Sequence, residues 1–98
     1  MIGDPSYRVP PEVLVAHLQG EAVLLDMDTK RYYRLNDTAA SIWRALEQCE
    51  RFPGIVNRLC QEFEVAHDDA QREAERVVSD LVERGLLVET HKDKLSLR

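Results

Sequence analysis

Ninety-eight residues, 44% apolar and 32% charged, are enough for one small domain with one modest core. A formal net charge of −5 argues against a duplex-binding surface, which needs a basic stripe. No apolar run approaches the ~20 residues of a membrane helix. The opening Met1-Ile2-Gly3-Asp4-Pro5 has no basic-then-apolar secretion pattern, so no membrane association and a cytoplasmic location are expected.

Residues 1–11, polar and punctuated by Pro5, Pro10 and Pro11, read as a flexible lead-in. The largely apolar run 12–18 predicts a first strand, Gln19-Gly20 a turn, and 21–26 (Ala22, Val23, Leu24, Leu25 between acids) a second strand. Met27-Asp28-Thr29-Lys30 has hairpin length, and Arg31-Tyr32-Tyr33-Arg34-Leu35 predicts a third strand. Period-two alternation puts Tyr33 and Leu35 on one face, Tyr32 and Arg34 on the other. Short links make these strands an antiparallel meander with the second in the middle.

At Asn36-Asp37 the apolar period changes from 2 to 3.6, and either residue can cap the free amides of a helix starting there. Ala39, Ile42, Trp43, Leu46 and Cys49 give that helix an apolar stripe. After Arg51-Phe52-Pro53-Gly54, a second helix carries Ile55, Val56, Leu59, Cys60 and Phe63 on one face, with Pro53 suited to its first turn. A third helix is predicted over 68–84 with Ala70, Ala74, Val77, Val78 and Leu81 inward, Asp68 as its cap and Gly85 as its left-handed stop. Leu86-Leu87-Val88 closes the domain as a short apolar coda, with room for one more strand, and a charged tail follows over 89–98. The expected fold is therefore α+β and winged helix-turn-helix-like: a three-stranded antiparallel sheet followed by three helices, over residues 12–88.

Chemistry is sparse. Cys49 and Cys60, eleven residues apart, form no metal or disulfide pattern and are expected to be buried structural thiols. His17, His67 and His91 fall on different elements, so no metal site and no cofactor are expected. No nucleophile–base pair or phosphate loop is recognisable, and the chain is not expected to be an enzyme. Function falls to a binding surface, and the third strand is the candidate. Pro10 and Pro11 are expected to blunt the edge of the first strand; the third contains no proline and stays open to pairing.

Through Tyr32-Tyr33-x-Leu35-Asn36-x-x-Ala39-x-x-Ile42-Trp43, Asp26-x-Asp28-Thr29-x-x-Tyr32 and Leu81-Val82-Glu83-Arg84-Gly85-Leu86-Leu87, the chain resembles the PqqD-like family. These are recognition elements for the leader segments of ribosomally made, modified peptides. It is most similar to the discrete leader-binding subunits of lasso-peptide biosynthesis. It is less like the pyrroloquinoline-quinone branch, whose Pro-Glu-Gly turn is replaced by Asp28-Thr29-Lys30. It departs from the family at Ala66-His67, where Ser or Asp followed by Pro is usual.

The resemblance implies that a precursor leader peptide docks as an added strand on Arg31, Tyr32, Tyr33, Arg34 and Leu35. Val77, Asp80, Leu81 and Arg84 of the third helix would form the opposite wall, at i, i+3, i+4 and i+7. It also implies two partner enzymes, a cysteine-protease-type leader peptidase and an asparagine-synthetase-like macrolactam cyclase. Taken singly, Val77, Leu81 and Trp43 read as core, and Arg31 and Arg34 as guards of an edge. Two other readings stay open. One is a winged-helix nucleic-acid-binding or regulatory module, which would need a basic recognition helix. The other is a scaffold subunit that binds no peptide.

Overall fold

The computed structural model describes residues 6–48 and 51–90. Its elements are β1 (Ser6–Arg8), β2 (Val13–Leu18), β3 (Glu21–Asp26), β4 (Arg31–Leu35), α1 (Asp37–Glu47), α2 (Phe52–Phe63), α3 (His67–Glu83) and β5 (Val88–Thr90). The expected meander is present: β2, β3 and β4 form an antiparallel sheet in that order, followed by three helices. Its register aligns Leu14 with Leu25 and Leu25 with Tyr32.

Local chemistry sets the joints. Gly20 turns β2 into β3 at φ +71°, and Lys30 takes φ +63° in the β3–β4 hairpin. Buried Asp26 organises that hairpin, its Oδ1 accepting from the Asp28 amide at 2.9 Å and the Thr29 amide at 3.4 Å. Asn36 Oδ1 accepts from the Ala39 amide at 2.9 Å and so caps α1 directly off the end of β4. At the end of α3, Gly85 (φ +78°) donates to the Val82 carbonyl and Leu86 donates to that of Leu81, a Schellman closure sealed by two buried leucines.

The core lies between the inner sheet face and the helices. Ala22 and Leu24 meet α1, whose Ala40, Ile42, Trp43, Ala45 and Leu46 are buried. More of α1 is buried than its apolar stripe implies, because β1, β3, β4, α2 and α3 all pack on it. Even Ser41 is enclosed, its hydroxyl donating to Glu62 at 2.6 Å. The inward set expected for α3 (Ala70, Ala74, Val77, Val78 and Leu81) is buried.

Four expectations need correction. The lead-in expected over 1–11 contains β1, which pairs antiparallel with β5 through Ser6–Thr90, Tyr7–Glu89 and Arg8–Val88. Neither three-residue strand has enough alternation to announce itself; each exists by pairing with the other. β5 also takes in Glu89 and Thr90, expected to begin the tail. α3 starts at His67, its N-cap Ala66 makes no side-chain bond, and Asp68 stands in the first turn. Cys60 is half-buried rather than buried. The rest of the lead-in and tail (1–5 and 91–98), Cys49 and His91 lie outside the described residues.

Candidate functional site

The order β2-β3-β4 makes both β2 and β4 edges. The proline argument does not separate them. Pro10 and Pro11 precede β2, where the Pro10 carbonyl accepts from the Val13 amide at 3.1 Å, and β2 itself contains no proline. In either edge strand of an antiparallel sheet, every second residue turns its N–H and C=O to the open side.

The two edges differ in what stands beside them. Between β4 and α3 lies a cleft of about 240 Å³ lined by Arg34, Leu35, Asn36, Ala39, Arg76, Val77, Asp80 and Leu81. Arg84, one turn beyond Asp80, lies against Tyr33, with its guanidinium carbon 5.5 Å from the ring centroid. α3 therefore runs antiparallel to β4, with Arg76 toward the Asn36 end and Arg84 toward the Tyr33 end.

Besides Tyr33, which lies against Arg84, the predicted residues fall into three groups. Leu35, Val77 and Leu81 are buried and make an apolar floor. Arg34 and Asp80 are polar groups of the lining, and Arg84 adjoins it through Asp80: Arg34 Nη2 donates to Glu21 at 3.0 Å, and Arg84 Nε faces both Asp80 oxygens at 3.1 Å. Arg31 and Tyr32 stand apart from this cleft. Arg31 is exposed at the hairpin, and Tyr32, 73% exposed, lies on the outer sheet face.

Three lining residues escaped sequence reasoning. Asn36 and Ala39 had been read only as cap and stripe. Arg76 was visible as the i−4 neighbour of Asp80. Its guanidinium is bound by Glu73 at 3.3 and 2.6 Å, which raises its pKa above the usual arginine value.

The outer face of the sheet is apolar yet uncovered. Leu14, Val15, Ala16, Val23, Leu25 and Tyr32 line a shallow depression there, and Leu14 is half exposed. On the far side of α3, Tyr7, Val78, Ser79, Val82, Glu83 and Glu89 form another groove, where burial and the Glu89 charge push the Tyr7 phenol up. Among the described residues no three His, Cys, Asp or Glu side chains gather as a metal site, and no helix is long and apolar enough to cross a membrane.

A winged helical domain with an open strand edge walled by a helix is thus the class defined by fold and site. The chain belongs to the PqqD family: the model described as Coenzyme PQQ synthesis protein D (PqqD) matches residues 21–87. Two solved structures share the fold. One, described as "Lasso peptide synthetase B1 complexed with the leader peptide", is 35% identical, with a TM-score of 0.77 over 84% of this chain and 96% of that one. The other, "TbiB1 in Complex with the TbiA(beta) Leader Peptide", is 30% identical, with a TM-score of 0.77 over 82% of this chain and 93% of that one. A search of curated proteins finds no match.

Proposed function

We propose that this chain is a non-catalytic recognition subunit for a leader peptide of lasso-peptide biosynthesis. The leader adds as a strand to β4 and lies in the cleft against α3. The observation that carries this reading is the β4 edge, unpaired among the described residues, beside a helix-walled, apolar-floored cleft, in a chain similar to two leader-bound proteins. Backbone hydrogen bonds to β4 supply affinity without regard to sequence, and the floor of Leu35, Val77 and Leu81 selects apolar leader side chains. Arg31 and Tyr32 belong to the strand but not to the floor. Holding the leader raises the effective concentration of the attached core peptide at separate enzymes. Those enzymes are a cysteine-protease-type leader peptidase and an asparagine-synthetase-like macrolactam cyclase.

The nucleic-acid reading has little on α3 to stand on. Arg72, Arg76 and Arg84 are each held by an acid one turn away. A fluorescence-polarisation titration decides between them. The probes are the labelled leader of the precursor encoded beside this chain, a scrambled leader, a leader N-methylated at alternate amides, and a short DNA duplex. Saturable binding of the native leader alone supports strand addition. Equal binding of the N-methylated leader overturns that mode, and binding of the duplex alone overturns the function.

A further inference from the structure

Arg34 and Arg76 line the β4–α3 cleft and Arg84 lies just beyond its Asp80 end, against Tyr33, and the three guanidinium groups are not equally engaged. Arg76 spends Nε and Nη2 on the two oxygens of Glu73. Arg34 spends Nη2 on Glu21 and is 74% exposed. Arg84 is held differently. Its Nε faces both Asp80 oxygens at 3.1 Å, and its guanidinium carbon lies 5.5 Å from the Tyr33 ring centroid. Neither Nη of Arg84 bonds to a described residue, although its side chain is half exposed. One edge of the guanidinium and the Tyr33 ring thus restrain the group, and the terminal two-nitrogen fork remains open.

A planar fork with its position already restrained is the geometry that binds a carboxylate bidentately, with less entropy lost per hydrogen bond than for a free arginine. We propose that Arg84 is a specificity residue of the cleft: its Nη1/Nη2 fork reads an Asp or Glu side chain of the peptide strand added to β4. The inference rests on the leader-binding reading. Tyr33 places the fork beside the strand, so the carboxylate belongs to the peptide residue passing that end of the cleft. Asp80 already balances the charge of Arg84. Selectivity therefore comes from directed hydrogen bonds rather than from net charge, and a lysine at 84, engaged by Asp80, does not replace it. Arg31 also has no side-chain partner among the described residues, but it stands at the hairpin away from the cleft, with nothing to orient it.

The test is a fluorescence-polarisation double-mutant cycle on the full chain. The probe is the labelled leader of the adjacent precursor, native and with each Asp or Glu changed singly to Asn or Gln. The proteins are wild type, Arg84→Gln, Arg84→Lys and Arg31→Gln. One acid-to-amide change should weaken wild-type binding about tenfold, as expected for a charge-assisted hydrogen-bonded pair. It should have no further effect in Arg84→Gln, nearly none in Arg84→Lys, and its full effect in Arg31→Gln. The melting curves of the Arg84 variants should match wild type, so that loss of coupling is not loss of fold. Native leader bound with no acid-dependent step, with additive effects, or with coupling to Arg31 instead overturns this inference alone. No saturable binding of the native leader by wild type overturns the leader reading and this inference with it.

Discussion

β2 and β4 are the two edges of one sheet, with the same kind of hydrogen-bonding row to offer. β2 is exposed over most of its length: Leu14 and Leu18 are each about half open, and His17 reaches α1 through Glu47 at 3.3 Å. β4 ends in buried Leu35, continues into α1 through the Asn36 cap, and has α3 alongside. An edge offers backbone affinity to any extended chain; a wall beside it limits which chain fits. The difference between the edges therefore lies in their neighbours rather than in the strands.

The comparison is open to tests of decreasing size. Leu35→Ala should cost about 3 kcal/mol in denaturant melts, as a buried leucine that also floors the cleft, whereas Leu18→Ala on β2 should stay within about 0.5 kcal/mol. Equal costs would mean that the two edges are equally integrated. Proline comes next. Tyr32→Pro and Tyr33→Pro point opposite ways in the ladder, so one of them spares the pairing with β3 and blocks only the open side. That variant, identified by its circular-dichroism melt, should lose leader affinity about fiftyfold through lost backbone bonds. The tolerated member of Ala16→Pro and His17→Pro on β2 should bind within about twofold of wild type. If the β2 variant is the one that loses affinity, the site belongs to the other edge.

Asn36→Ala should cost about 1 kcal/mol, since it removes the cap that joins β4 to α1, and lower the melting temperature by about 4–8 °C. The smallest effect concerns the anchoring of α1 to α2. The Ser41 hydroxyl, followed by Arg58, holds the Glu62 carboxyl below its usual 4.5. A carboxyl depressed in the fold favours folding above its unfolded pKa, and that contribution disappears as pH falls through the lower folded value. Ser41→Ala should therefore destabilise slightly at pH 7 and flatten the stability loss below about pH 4.5, seen in urea midpoints at pH 7, 5 and 3.5.

Much of this architecture was written in local pattern. Alternation in 31–35, the change of period at Asn36 and the apolar stripes of the helices are properties of neighbours in the chain, and each survives in the fold. The inward set of α3 was legible for the same reason: 3.6 residues per turn decides which side chains share a face. The two prolines misled because their consequence depends on where β2 begins. Pro10 and Pro11 act in the turn before it, outside the ladder, and that placement removed the argument built on them.

Of the candidate site, the strand and the i, i+3, i+4, i+7 stripe were readable, but their assembly was not. Asn36, Ala39 and Arg76 joined the cleft because α3 lies antiparallel to β4, and Tyr32 left it for the outer sheet face. β1 and β5 were invisible for a related reason: three residues with no pattern of their own become strands only when a partner eighty positions away supplies the hydrogen bonds. By itself the sequence determined the order of β2 to β4 and the three helices, their inward faces, the Asn36 cap and the Gly85 stop, because each depends on contacts within a few residues. Only the tertiary structure decided which edge acquired a wall, which arginine kept an open fork and which termini paired, because those depend on groups that meet through the fold rather than along the chain.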